Sequence, residues 1–355
     1  MRSLALNVSL AFAASVFACG GDASTDGDAM RLPDGAPAPS GPTMTLSQLV
    51  DDAGKASSWF LPRGSDVAIA LQDLRGGARA SFHGDVPHVS ASSAKILWLA
   101  AALRKVDASA LDADAKEIFS ASLSYPGPAR FVERAGGGDA VNDFYWNVVG
   151  ARDSQLMSWP GITKPTRFDG AGVPPSSRYP EGRAKGAAGR RASPDAAPEL
   201  SIDNFITAND AVTFYAKYND GSLLDGRAGK KTRQLRAWAR GGLDWIRPRI
   251  EERDLPPDRA IGKPGWLPYD LYPAYAQANS TGIVGDHDEG ESWTGPHYAV
   301  AILTRWVGED GQWGEYIAYA HCVIFYGVRA LMKNGAYDLD GLHDKCKFPE
   351  DPARP

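Results

Sequence analysis

The chain has 355 residues, 43% of them hydrophobic and 23% charged, with a formal net charge of -5. That is enough material for one large domain or two small ones with a genuine core. The acidic balance disfavours nucleic-acid binding, which needs Lys and Arg gathered into a phosphate-facing patch, and the generous Trp and Tyr content suits a large core or an aromatic-lined cleft without deciding between them.

Met1 to Cys19 reads MRSLALNVSLAFAASVFAC. One Arg, an uncharged apolar run too short to span a bilayer comfortably, and a small residue before Cys form an export signal. The ending Val16-Phe17-Ala18-Cys19-Gly20 is similar to a bacterial lipoprotein box, which would make Cys19 the lipidated first residue of a mature cell-envelope protein; an ordinary secretory signal cleaved nearby is the alternative. No other segment is long and apolar enough to cross a membrane, so contact with the membrane is expected only through that anchor. Residues 20–43, rich in Gly, Pro, Ala, Ser and Asp, read as a flexible tether, with the folded domain expected over 44–355.

A short helix is expected over Leu46 to Ser57. A strand follows from Asp66 to Leu74, then a turn at Arg75-Gly76-Gly77 and a returning strand from Ala78 to His83. This hairpin feeds PHVSASSAKILWLAAAL, in which Ser92 and Lys95 lie three apart as an apolar helix begins. At that spacing the two side chains share a helical face one turn apart, and an amine can take the proton of a serine hydroxyl. Ser92 falls in the first turn, where free backbone N–H groups favour developing negative charge. The competing reading is a Ser-capped core helix with a solvent-facing Lys.

Helical patterns continue at Ile96 to Val106, Ala113 to Ser124 and Asp139 to Val149. Pro160 to Leu200 is a long Pro-, Gly-, Arg- and Ser-rich stretch, of the kind that is functional or disordered inside a compact domain. Helices resume at Ala208 to Tyr218 and Ala228 to Ala239, followed by strand-like runs at Arg259 to Trp266, Asn279 to Val284 and Tyr298 to Trp306, and an apolar helix from Gly314 to Lys333. The order implies an α/β (α+β) fold: an antiparallel sheet of five strands with terminal helices on one face, interrupted by an all-helical subdomain over about 92–240. Cys322 and Cys346 are an even pair in an exported chain. A disulfide between them is expected in an oxidising compartment, with two separate thiols as the alternative.

Four stretches, in order, resemble the serine β-lactamase and penicillin-binding-protein superfamily, and most closely the class A β-lactamase-like hydrolases. They are DVAIALQDLRGGARASFHGDVPHVSASSAK; Gly136-Gly137 with DAVNDFYWNVVG and ARDSQLMSW; IDNFITANDAVTFYAKYNDGSLLDGRAGKKTRQLRAW; and Gly262-Lys263-Pro264-Gly265-Trp266 with the strands NSTGIV and HYAVAILTRW. The resemblance covers about Leu46 to Lys333 and implies a β-lactamase/transpeptidase-like fold. It makes Ser92 the nucleophile, Lys95 its base and Lys263 a cleft-facing cation. The backbone N–H groups of Ser92 and Trp266 become an oxyanion hole, with Gly265 and Trp266 lining the substrate site. No cofactor or metal is implied, and the partner is a small-molecule or peptide-like substrate. The scattered histidines form no metal-ligand spacing, and Asp286-His287-Asp288-Glu289 reads as an acidic hairpin loop.

Three departures narrow the expectation. No clean Ser-x-Asn element exists: the matching place falls on Leu123-Ser124-Tyr125, so Ser124, or Ser122 with a small slip, would supply the hydroxyl, the other reading being helix-end serines before a Pro-Gly turn. Trp159 is followed by Pro160, where class A β-lactamases carry the Glu that activates the deacylating water, and Asp169 or Glu181 would have to replace it. Pro264 stands where the family has Thr or Ser, which removes a hydroxyl that would hold a substrate carboxylate and a ladder donor as well. The expected function is an exported serine hydrolase or acyl-transferase acting through acyl-Ser92 on an amide or ester, with poor β-lactam hydrolysis. The alternative is a cell-envelope lipoprotein that keeps the fold for binding or sensing without turnover.

Overall fold

The computed structural model describes residues 44–61, 65–120, 126–151, 153–154, 205–240, 242, 249–267, 277–305 and 312–347. The signal and tether therefore lie outside the described residues, as does the 160–200 stretch.

The first helix, α1 (Leu46–Phe60), begins at a capping box in which Gln48 N–H donates to Thr45 Oγ1 at 3.2 Å and Thr45 N–H donates to the Gln48 side chain at 2.7 Å. Leu46, Leu49, Val50 and Ala53 recur at helical spacing and are fully buried. The hairpin follows as β1 (Asp66–Asp73) and β2 (Arg79–Phe82), and a two-residue strand β3 (His88–Val89) leads to the Ser92 turn.

The helical block holds α2 (Ala94–Lys105), α3 (Asp112–Ser120), α4 (Pro126–Ala135) and α5 (Gly138–Asp143), which runs on as a π-helical turn, Phe144–Val149. Every residue of α2 from Ala94 to Leu103 is buried, as an all-round apolar helix must be. The Pro-Gly turn expected at 126–127 is instead the start of α4: Pro at the first helical position costs nothing, because its missing N–H would have had no partner there. Strand β4 (Phe205–Ile206) pairs with β3, then come α6 (Ala208–Asn219) and α7 (Lys230–Ala239). Asp210, in the first turn of α6, accepts Ser154 Oγ–H at 2.7 Å and Asp153 N–H at 2.9 Å, while Thr207 N–H donates to Ser154 Oγ at 3.0 Å. Burial pushes the Asp210 carboxyl up to about 6.

The sheet is completed by β5 (Ala260–Gly262), β6 (Gly265–Leu267), β7 (Gln277–Val284) and β8 (Tyr298–Arg305). Its order is β2-β1-β8-β7-β5, all antiparallel, and β6 also pairs with β7. The single strand expected at Arg259 to Trp266 is thus two short strands in one sheet position, and they share one register on β7. Residues alternate across the pleat: Ala299, Ala301 and Leu303 join the core under the helical block, whereas Tyr298, Val300 and Ile302 join the core under α1 and the C-terminal helix α8 (Gln312–Asn334).

The Asp286-His287-Asp288-Glu289 loop does join two antiparallel neighbours, β7 and β8. Asp286 is buried and pairs with buried Arg236 of α7 at 2.8 Å, and Asp288 lies 3.1 Å from both Arg236 and Arg240. The loop therefore latches α7 to the end of β7.

The expected disulfide forms: Cys322 of α8 joins Cys346 of the last helix, α9 (Leu339–Cys346). The bridge closes a segment of 24 residues, for which chain entropy alone gives about 3 kcal/mol of stabilisation. Reduction, or a Cys322→Ser/Cys346→Ser double variant, is expected to lower unfolding stability by about that amount in urea titrations followed by circular dichroism; an unchanged midpoint would show that α9 holds itself in place.

Candidate active site

Ser92 stands in a 3-10 turn, Ala91–Ser93, that runs directly into α2. Ala91 carries a positive φ of 46°. This left-handed conformation costs energy for a residue with a Cβ, so it persists only where surrounding contacts impose it. Those contacts come largely from β7. Asn279, fully buried, donates its amide N–H groups to Val89 O at 2.8 Å and to Ser90 O at 3.2 Å, and accepts Thr304 N–H at 3.3 Å. Ser93 N–H closes the turn on Ser90 O at 3.1 Å, with its hydroxyl on the same carbonyl.

Lys95 is only 1% exposed and Lys263 4%, so Lys95 is not the solvent-facing lysine of a Ser-capped core helix. Burial, followed by the nearby Lys263 charge, brings the Lys95 amine down to about 7, with Glu117 opposing. Burial alone brings Lys263 down to about 8. Near neutral pH the first amine is poised to accept a proton while the second still carries one.

The edge strand delivers the rest of the site, and its register explains how. Lys263 N–H donates to Thr281 O at 3.0 Å, and Thr281 Oγ1–H donates back to Lys263 O at 3.2 Å. Position 263 therefore pairs with the sheet, and the next position has its backbone groups turned to the open edge. Pro264 occupies that position, so it removes no bond to β7, although it interrupts the regular pairing between β5 and β6. By the same parity the N–H of Trp266, opposite Ala278, points out of the sheet edge. Gly265, between them, is pressed against the nucleophile's turn. A Cβ there would come within 2.8 Å of Ser90 O, 2.8 Å of Ser93 N and 3.0 Å of Ser92 N. The strand thus runs past the Ser92 backbone N–H group with nothing but a glycine Cα between them. The Trp266 N–H lies one residue beyond the glycine that approaches Ser92 N.

The structure brings Gly265 of β6 against the Ser92 turn and sets the Lys263 charge close enough to act on Lys95, with Trp266 the next residue along β6. Ser124 and Ser122, together with Trp159, Pro160, Asp169 and Glu181, lie outside the described residues, as does Cys19. Cys322 and Cys346 belong to the α8–α9 pair rather than to the cleft. Sequence reasoning missed Asn279 and the pair Tyr215 and Thr281, in which Tyr215 OH donates to Thr281 Oγ1 at 3.1 Å and so supports the Lys263 carbonyl. The polar run Asn279-Ser280-Thr281 inside an otherwise apolar strand was the available signal. Among the described residues no group of His, Cys, Asp and Glu is arranged to hold a metal ion.

No family model matches the chain, and no curated protein does. Solved structures do match. A β-lactamase from Sphaerobacter thermophilus aligns at TM-score 0.51 and 19% identity over 81% of this chain and 97% of its own. One from Streptomyces albus G aligns at 0.52 and 16% over 79% and 98%, and a class A β-lactamase from Bacteroides cellulosilyticus at 0.54 and 14% over 80% and 98%. The fold is that of the serine β-lactamase and penicillin-binding-protein superfamily, of the class A type.

Because the atoms around Gly265 are backbone, they cannot swing aside. Gly265→Ala is expected to cost about 1–3 kcal/mol in urea unfolding, where an ordinary surface Gly→Ala change in extended backbone is neutral or stabilising. A neutral result would mean that the edge strand is free to move away from Ser92.

Proposed function

We propose that this protein is an exported serine hydrolase or acyl-transferase that works through an acyl-Ser92 intermediate on an amide or ester. The observation that carries the reading is the burial of two lysines at the Ser92 turn. Burying an ammonium is costly unless its charge is used or shed, and a core has no structural need for two of them side by side.

The proposed steps use these groups in turn. Neutral Lys95 accepts the Ser92 hydroxyl proton as Oγ bonds to the acyl carbon. Charge that develops on the carbonyl oxygen faces the N–H groups of Ser92 and Trp266, donors of a kind whose removal typically costs about 100- to 1000-fold in rate. The bond to the leaving group then breaks and the proton held by Lys95 passes to it, while protonated Lys263 supplies positive potential. Water or another acceptor adds to the acyl carbon, and Ser92 departs with its proton restored.

Clearing the acyl group is the weaker half. Pro160 directly after Trp159 cannot act as a base, and Pro264 offers no hydroxyl. Those two residues favour a second reading, an envelope lipoprotein that binds or senses without turnover. In both readings residues 1–19 are the export signal, Cys19 the anchor point, 20–43 the tether and 44–355 the functional domain, and the disulfide suits an oxidising envelope compartment.

Intact-mass measurement after a fluorophosphonate, and separately after a penicillin, tests the proposal with Ser92→Ala alongside. A fluorophosphonate adduct on the wild type and none on the variant is expected. Absence of any adduct would sink the enzyme reading, and a penicillin adduct that persists without turnover would place the block at deacylation. The rate of fluorophosphonate labelling should rise about tenfold per pH unit up to about 7, as Lys95 loses its proton, and fall again above about 8, as Lys263 does. Lys95→Met should abolish labelling while raising stability near neutral pH, because the variant no longer buries an amine that the unfolded chain keeps protonated up to about 10.4. A pH-independent labelling rate would remove Lys95 as the base.

A further inference from the structure

On the face of the sheet away from the helical block, where α8 packs, two cavities open side by side. One, of about 370 Å³, lies between α8 and the Trp293–Pro296 loop, and the other, of about 620 Å³, lies between α8 and α9. Both are lined by Arg253, Asp254, Arg329 and Lys333, so they form one groove with a charged waist. Cavities of roughly 300–1,000 Å³ are of the size that holds small organic ligands.

Apolar side chains wall both ends. Trp293 and Met332 line the smaller cavity, and Tyr326, Ala330 and Leu342 the larger one. The Trp293 ring is fixed, with its N–H donated to Pro296 O at 2.9 Å and the Arg259 guanidinium 5.7 Å from its centroid. The charged lining is mostly basic: Arg253, Arg329, Lys333 and Lys345 face one carboxylate, Asp254. Asp254 is taken up by Arg329 at 2.5 Å and by the Tyr326 hydroxyl at 3.0 Å. Glu251, outside the lining, pairs with Arg253 at 2.5 Å and with Lys345 at 3.3 Å. Four cations therefore meet two carboxylates here, in a chain whose net charge is -5. The Lys333 amine has no ion-pair or hydrogen-bond partner among the described residues.

Basic groups above an apolar floor suit a ligand that is divided in the same way, an anionic head on an apolar body. The point where the chain enters the fold indicates its source. Met44 N–H donates to Gly335 O at 3.1 Å, so the polypeptide arriving from residues 20–43 joins the domain at the end of α8, just past Lys333. Where Cys19 carries a lipid, this is the end of the domain that the membrane anchor is tied to.

We infer that the groove binds the phosphate head of an anionic membrane lipid at Arg253 and Lys333, with the apolar part of the lipid against Trp293 and Met332. The inference is independent of the acyl-Ser92 reading and uses the Cys19 anchor only to choose a lipid over a free anion.

The full chain is mixed with phosphatidylcholine vesicles that carry photoactivatable phosphatidylglycerol, and the adducts are mapped by peptide mass spectrometry. Adducts are expected on the peptides that hold Trp293–Pro296 and Tyr326–Lys333. Lys333→Glu should cut their yield at least about fivefold, the effect of one basic residue near an anionic surface, and Lys333→Arg should keep it. Lys333 is exposed, so both variants should retain the wild-type urea midpoint. Dihexanoyl phosphatidylglycerol should compete the adducts away more effectively than dihexanoyl phosphatidylcholine or inorganic phosphate. Adducts confined to other parts of the chain, equal yields from photoactivatable phosphatidylcholine, or no response to Lys333→Glu would overturn the inference. Inorganic phosphate that competes as well as the short-chain lipid would make this a site for free anions and remove the lipid assignment. Fluorophosphonate labelling of Ser92 in the same preparations should be equal in all variants, because Ser92 and the groove lie on opposite faces of the sheet. Unlabelled Ser92 in the wild type would strike the acyl-serine reading and leave the groove untouched.

Discussion

The cleft depends on the register of one short edge strand. Strands β5 and β6 keep a single alignment on β7 across the interruption at Lys263 and Pro264, and a slip of one residue would reverse every assignment there. Lys263 would swing away from Lys95, and a side chain would replace Gly265 against Ser92. Proline would then sit where a bond to β7 is needed. Two devices hold the alignment. The Lys263–Thr281 pair, with Tyr215 behind it, fixes the strand to the sheet, and Asn279 fixes the sheet to the carbonyls that precede Ser92. Ser92 and the edge strand are thus indexed to the same neighbouring residues of β7, which is how two segments about 170 residues apart in sequence come into atomic contact.

The same arrangement opposes stability. Lys95 and Lys263 are buried with their proton affinities lowered, and Ala91 is held at a positive φ. Each is unfavourable for folding by itself. The molecule offsets them with two hydrophobic cores, one on each face of the sheet, and with links between distant elements: the Arg236–Asp286 pair between α7 and the end of β7, the Asp210–Ser154–Thr207 cluster at the start of α6, and the α8–α9 disulfide. Unfavourable local geometry concentrated at one place and supported from all round is the pattern expected where a protein does chemistry.

Much of the fold was legible from local pattern. The first hairpin, α2, α6, α7 and α8 lie where hydrophobic periodicity and turn residues put them, because those signals act over a few residues. Helix α4 was not anticipated, and Pro126-Gly127 entered only as a turn in one of two readings, since Pro-Gly marks a turn and Pro at a helix start equally well and only the packing of Phe131 and Val132 into the core chooses between them. The pairing of β3 with β4 was invisible: two residues carry no periodicity, and their partners are more than a hundred positions apart. The Asp286–Asp288 loop was read as an acidic hairpin loop and joins β7 to β8 as one, but sequence shows its charges and not the arginines that meet them.

By itself the sequence determined the chemical vocabulary of the site. Ser92 and Lys95 are one helical turn apart whatever surrounds them, and Lys263, Pro264, Gly265 and Trp266 alternate along an extended strand by backbone geometry alone. Tertiary structure decided what those groups are able to do. Burial, which no local pattern encodes, lowered the proton affinity of two ordinary amines. The register on β7, set by contacts between distant segments, put a glycine rather than a side chain against Ser92 and aimed the Trp266 N–H at the open edge.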